Sequence, residues 1–160
     1  MKKKFLYFTA TLISALLITI TPANAQRKNK DKDTYFYFKT VNMSFDEAIV
    51  RVTETLKEQG FGIVSEINMQ EKITKATGKE MNPYIILGAC NPHAAFEALQ
   101  IDGHLGLLLP CNVIVRDLGN DRVEVAAIDP NKSMQTANNS KLKPMAEEIG
   151  EKLKLAIANI

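Results

Sequence analysis

The feature that most constrains this chain is a continuously apolar run, Tyr84-Ile85-Ile86-Leu87-Gly88-Ala89, with Pro83 in front and Asn91-Pro92 behind. The run has strand length and lacks polar alternation, so it reads as a strand that is covered on both faces or central in a sheet. Asn91 followed by Pro92 predicts a helix start. The Asn side chain caps free N–H groups, and proline is tolerated at the first helical position, where its missing N–H costs nothing. A central strand that feeds a helix needs neighbouring strands and a helical layer, and the rest of the chain supplies candidates for both.

Tyr35 to Val41 is rich in β-formers and predicts a first strand. Ser44 and Glu47 form a capping box. The helix they open carries Phe45, Ala48/Ile49, Val52 and Leu56 as one stripe, and Gly60 is placed to end it. Phe61 to Ile67 alternates, with Phe61, Ile63, Ser65 and Ile67 on one face and Glu66 on the other. Asn68 and Glu71 predict a short helix closed by Gly78. The helix from Asn91-Pro92 is expected to turn Ala95, Phe96 and Leu99 inward and to end near Asp102-Gly103. Leu105–Leu109 and Val113–Arg116 read as one long strand interrupted at Pro110, which has no N–H for a ladder and marks a bulge or an edge. Asp117 to Asp121 is a hairpin loop and Arg122 to Ile128 the returning strand. Asp129-Pro130 reads as a turn, and Asn131 to Asn139 as a polar loop. A last helix from about Leu142 to Asn159 has the stripe Leu142, Met145, Ile149, Leu153, Ala156/Ile157 and Ile160. The expected fold is α+β, a two-layer sandwich in the order β-α-β-(short α)-β-α-β-β-α. It has one mixed sheet of about five strands with helices packed on one face.

Composition needs one correction before it is used. Met1-Lys2-Lys3-Lys4, the uncharged run Phe5–Ile20 and Ala23-Asn24-Ala25 have the layout of a secretory signal peptide cut after Ala25. Gln26–Asp33 is then a polar linker expected to be disordered, and residues 34–160 form a single domain. The 160-residue chain carries 20 Lys+Arg against 18 Asp+Glu, but three lysines lie in the leader, so residues 26–160 sum to 17 − 18 = −1. Binding of nucleic acid by net charge is therefore not supported, and absence of Trp argues against a base-stacking platform. The expected location is the periplasm or the exterior, with no membrane association after cleavage.

Four strings stand in order: Gly60-Phe61-Gly62-Ile63-Val64-Ser65-Glu66-Ile67, Leu87-Gly88-Ala89-Cys90-Asn91-Pro92, Gly106-Leu107-Leu108-Leu109-Pro110-Cys111-Asn112-Val113 and Ala127-Ile128-Asp129-Pro130. Together they resemble the family catalogued as domain of unknown function 302, over roughly Tyr35 to Met134. The resemblance implies a small two-layer α/β domain, dimeric, with no established activity. The sequence departs from the family pattern at His93, where a second proline is common.

Chemistry-bearing residues are few. Cys90 and Cys111 are the only cysteines, and each precedes an Asn. Cys90 lies at a predicted helix start, where the dipole favours a thiolate. If the helix from Pro92 is a right-handed crossover, its flanking strands are parallel neighbours and the two sulfurs can approach. Three readings stay open: a disulfide in an oxidising compartment, two buried inert thiols, or a redox or soft-metal site. Metal candidates are Cys90, His93 and Cys111, with His104 as a further donor. Asn91 is best explained as an N-cap. Asn112 is a candidate buried amide that holds a ligand or the backbone beside Pro110. Glu66 is a candidate acid in a cleft, with an exposed strand carboxylate as its default reading. No nucleophile elbow, catalytic triad order, phosphate loop or zinc-protease helix is present, so no catalytic residue and no cofactor can be named. Two functions are consistent with these residues. One is an exported binding or accessory module with a ligand, metal or redox site at Cys90/Cys111. The other is a homodimeric structural or interaction domain in which the cysteines are a disulfide or core. A small ligand or partner protein is expected either way.

Overall fold

The structure is a computed structural model that describes residues 34–160; the leader, its cleavage site and the Gln26–Asp33 linker lie outside the described residues. Five strands, β1 (Phe36–Asn42), β2 (Gly62–Asn68), β3 (Tyr84–Cys90), β4 (Cys111–Asp117) and β5 (Arg122–Ile128), form one sheet. Its spatial order is β1-β5-β4-β3-β2. The helices are α1 (Phe45–Glu58), α2 (Met69–Thr77), α3 (Pro92–Ile101), α4 (Pro130–Ser133) and α5 (Lys143–Ala158). The α+β sandwich and the order of the five strands and of α1, α2, α3 and α5 are as the sequence leads one to expect, while α4 is an addition.

All four strand pairings are antiparallel, so the sheet is not mixed. The reason lies in two connections. Strands β1 and β2 do run in the same direction, but α1 carries the chain to the opposite edge and the other three strands fill the gap. Between β3 and β4, α3 rises roughly 15 Å. The 3-10 segment Gly103–Leu108 then has roughly 12 Å with which to return. The chain therefore re-enters the sheet at the end it left, and the expected parallel neighbours are antiparallel ones. The same segment replaces the first half of the predicted long strand. Asp102 accepts from His104 N at 2.8 Å and starts the turn, and the strand proper begins only after Pro110.

Helix α1 begins at the capping box: Glu47 N donates to Ser44 Oγ (3.3 Å) and Ser44 N donates to Glu47 Oε2 (3.0 Å). It buries Ala48, Val52, Thr55 and Leu56. Gly60, at φ +81°, turns the chain back towards β2. Helix α5 buries Ile149, Leu153, Ala156 and Ile157 against the same sheet face. The core is closed by Leu87 and Ala89 of β3, Val113 and Val115 of β4, and Val123, Val125 and Ala127 of β5. The carbonyls at the end of α5 are met from other elements. Lys39 Nζ of β1 donates to Ala158 O (2.8 Å) and Ile160 O (2.7 Å), and Arg51 of α1 donates to Asn159 O (3.1 Å). Positive groups there complement the negative end of the helix dipole. No helix among the described residues is long and apolar enough to cross a membrane.

Two facings differ from expectation. Helix α3 packs through Ala94 and Ala98, while Phe96 is 65% and Leu99 40% exposed. Both stripes have helical spacing, and the tight approach of α3 selects the alanine side. In β2 a bulge between Ile63 and Ser65 shifts the register. Ile63 then faces the core with Ala89, while Ser65 and Ile67 pair with Gly88 and Ile86 on the other face. The four residues therefore do not share one face.

Candidate functional site

Cys111 opens β4 opposite Ala89, and Cys90 ends β3 opposite Gly62. The two cysteines are thus one step out of register on adjacent antiparallel strands, where successive side chains alternate between faces. They are not brought together as a pair, and both are free thiols. The parallel neighbours that would have let the sulfurs approach do not occur, and the two cysteines are unbridged. Cys111 is buried with the core, and Cys90 is half-buried at the strand end. A cavity of about 20 Å³ borders them beneath Phe61, Ala98 and Ile149. That is room for about one water.

The proposed metal set is not assembled either. Among the described residues no group of three or more His, Cys, Asp or Glu side chains is placed to hold an ion. His93 sits on the exposed side of α3 and lines a separate groove with Glu97 and Glu148, because its helix turns Ala94 to the sheet. The imidazole of His104 is exposed and pairs with Asp102 (Nδ1 to Oδ1, 3.0 Å); the His104 backbone N–H first, and this side-chain contact second, hold that carboxyl below its usual range. Asn91 does what its position predicts: its Oδ1 accepts from Ala94 N at 3.1 Å and caps α3. Asn112 is exposed rather than buried, because it alternates with Cys111 and Val113 onto the face without helices. Glu66 lies opposite Leu87 after the bulge, yet stays exposed because β2 is an edge strand. Of the six candidates, Cys90, Asn91 and Cys111 border the small cavity beneath Phe61, while His93, Asn112 and Glu66 lie elsewhere.

Burial pushes the Cys111 thiol up to about 11, with a smaller push from Cys90, so Cys111 stays protonated at neutral pH. A protonated, enclosed thiol is a poor nucleophile and a poor metal ligand. Folded Cys111 holds its proton more tightly than the unfolded chain does, so its contribution to stability is complete below about pH 9 and is lost as pH rises towards 11. Native protein is expected to react with a thiol reagent at Cys90 only, with Cys111 labelled after unfolding. The fall in urea midpoint between pH 8 and 11 should be smaller in Cys111→Ala than in the parent. Equal slopes in the two proteins would sink this assignment.

Two features escaped the sequence reading. One is a polar cluster at the end of β5. The Asp129 carboxylate, 9% exposed, accepts through Oδ1 from Tyr37 OH (2.8 Å), Asn131 N (2.9 Å) and Asn131 Nδ2 (3.1 Å). Burial and this carboxylate push the Tyr37 phenol well above its ordinary value. Asp129 is the N-cap of α4, with Pro130 at the first turn. That is the same signature as Asn91-Pro92 and was available to find it. The presumed polar loop is instead α4 followed by a 3-10 turn, Met134–Ala137, that buries Met134.

The second feature is the sheet face opposite α1 and α5. Strand register places Phe38 beside Ala126, Ala126 beside Ile114, Ile114 beside Ile86, and Ile86 beside Ile67. This apolar row crosses all five strands on the side away from the main core. The next row carries Glu124 beside Arg116, with Arg116 Nε donating to Glu124 Oε1 at 2.7 Å. A groove of about 400 Å³ lies on this face, walled by Tyr35, Phe36, Tyr84, Ile114 and Arg116.

These elements define an α+β domain: a five-stranded antiparallel sheet with helices packed on it. The family model described as Domain of unknown function DUF302 matches residues 37–160, and the chain belongs to that family. Among solved structures it is similar to the crystal structure of an uncharacterized conserved protein DUF302 from Bacillus stearothermophilus. That similarity has 27% identity and a TM-score of 0.73, over 79% of this chain and 98% of the other. A comparison with curated proteins finds no match.

Proposed function

We propose that this chain is an exported interaction domain that pairs with a second copy of itself through the helix-free face of its sheet. The observation that carries the reading is the row Phe38, Ala126, Ile114, Ile86 and Ile67, apolar from edge to edge. An antiparallel sheet with one solvated face normally alternates apolar inward with polar outward. Here the outward row is apolar as well, with Phe38 49% and Ile67 36% exposed on the two edge strands, Ile114 and Ile86 half-buried and Ala126 buried between them. A row of apolar side chains on a sheet face turned away from the core is the kind of surface that marks an interaction site.

A second copy is the occupant that fits. Five strands about 4.8 Å apart and about 23 Å long present ~550 Å² in projection, more once side-chain relief is counted. A standard interface takes about 800 Å² from each partner. The face also carries both signs of charge, Arg116 and Glu124, so two copies related by a two-fold axis present complementary charges to each other. The leader-like Met1–Ala25 segment supports export.

Sedimentation of the mature chain is expected to show a dimer at micromolar concentration. Phe38→Glu and Ile67→Glu each place a charge on the row at exposed positions, so the fold should survive. Each is expected to weaken association by at least about 100-fold, the effect of a fully desolvated unpaired charge. Phe96→Glu, on the exposed side of α3, should leave the dimer intact. A monomeric parent, or a dimer lost through Phe96→Glu and kept in Phe38→Glu, would overturn the reading.

A further inference from the structure

We propose that the cleft between the α4 segment and the start of α5 is a binding site for a neutral polyhydroxylated ligand, of the size of a mono- or disaccharide. This cleft has a volume of about 500 Å³, within the range of small-molecule sites. It lies apart from the helix-free sheet face, and the proposal does not depend on self-association.

Four carboxamides converge on it: Asn131, Gln135, Asn138 and Asn139. Two are anchored, in opposite senses. Asn131 Nδ2 is held by the buried Asp129 carboxylate, which leaves Asn131 Oδ1 as an acceptor. Asn139 Oδ1 accepts from Lys141 N at 3.1 Å, which leaves Asn139 Nδ2 as a donor. A hydroxyl both donates and accepts, so a fixed acceptor and a fixed donor in one cleft suit a ligand with several hydroxyls. Asn138 N donates to Gln135 O at 3.0 Å, which holds the turn, while the Gln135 and Asn138 side chains make no hydrogen bond to another described residue and can adapt to the ligand. Met134, Leu142 and Ala146 contribute apolar surface from buried positions, against which the C–H face of a sugar ring can rest. The charged side chains at the rim, Lys143 and Glu147, are one of each sign, so the cleft does not select an anion or a cation.

The anchoring is prepared by the fold. Asp129 is oriented by Tyr37 as well as by Asn131. At Gly150 of α5, a Cβ would stand 2.7 Å from Asn131 Nδ2 and 3.1 Å from Tyr37 Oη. Only glycine lets α5 approach this closely without displacing Asn131. Preorganised polar groups bind better because less ordering is left to the ligand. With no aromatic side chain among the lining residues to stack on a ring, the affinity expected is millimolar.

The test is a titration of ¹⁵N-labelled mature protein with glucose, N-acetylglucosamine and trehalose, with citrate as the charged comparison. Saturable shifts of the Asn131, Gln135, Asn138 and Asn139 side-chain amides with at least one sugar are expected. Gln135→Ala and Asn138→Gly should each weaken that binding at least fivefold. Asn138 has φ +48°, so glycine keeps its backbone conformation. No saturable shift with any of the three sugars would overturn the proposal. So would shifts that both variants leave unchanged, or a stronger response to citrate than to the sugars.

Discussion

Asp129→Ala is expected to destabilise the domain by about 3 kcal/mol, read as a lower urea midpoint at unchanged slope. One carboxylate oxygen at a 9%-exposed residue serves three donors, from Tyr37 OH, Asn131 N and Asn131 Nδ2. Hydrogen bonds to a charged group contribute about 1.5–3 kcal/mol, and a donor left unsatisfied after burial costs about 1–3 kcal/mol. Loss of the N-cap of α4 adds about 1 kcal/mol. Part of this is recovered by water, since Tyr37 and Asn131 are only half-buried. Asp129→Asn keeps an acceptor and a cap, so it should cost markedly less than alanine. A loss below about 0.5 kcal/mol for Asp129→Ala, the ordinary range of surface substitutions, would show that the cluster contributes nothing to stability.

Gly88→Val is expected to cost about 3 kcal/mol or to prevent folding. Gly88 lies in β3, between β2 and β4. A Cβ there would collide with Ser65 Oγ and stand 2.6 Å from Cγ of Pro110. Ser65 is on an edge strand and can rotate its hydroxyl away. The Pro110 ring is fixed to the start of β4 and cannot yield without moving that strand. Overpacking of this kind costs about 1–3 kcal/mol, and valine adds two further methyl groups to the clash. Gly62→Ala in β2 is the matched control, because nothing lies within 4 Å of its added Cβ. Thermal unfolding of the two variants should separate them clearly. Equal midpoints would mean that Pro110 does not pack where described.

The chemistry at the two strand breaks was the least legible part of the chain. Whether Cys90 and Cys111 bridge, lie apart as inert thiols or form a site depends on their strands, and the return of the 3-10 segment after α3 makes those strands antiparallel, with the cysteines one residue out of step. Glu66 and Asn112 changed their surroundings through one bulge and one alternation. A shift of a single residue exchanges the two faces of a strand, so site assignments on strands fail more readily than the strands themselves. Helix facing is fragile in the same way: Ala95 lines the small cavity with Ala94 and Ala98, whereas Phe96 and Leu99, at equally helical spacing, are exposed.

Local chemistry determined the elements. The Ser44/Glu47 box, Asn68, Asn91-Pro92 and the left-handed glycines Gly60 and Gly78 set helix ends through hydrogen bonds and backbone sterics that act within four residues. Hence the sequence by itself determined the five strands, the four longer helices and the two-layer class, though not α4 or the 3-10 segment before Pro110. Which strands lie side by side, that β1 meets β5 and not β2, was decided by the tertiary structure alone. So was the gathering of Phe38, Ala126, Ile114, Ile86 and Ile67 into one row, and of Tyr37, Asp129 and Asn131 into one cluster. Those contacts join residues up to 92 positions apart. No spacing rule reaches so far, because they form only when the whole apolar core is buried at once.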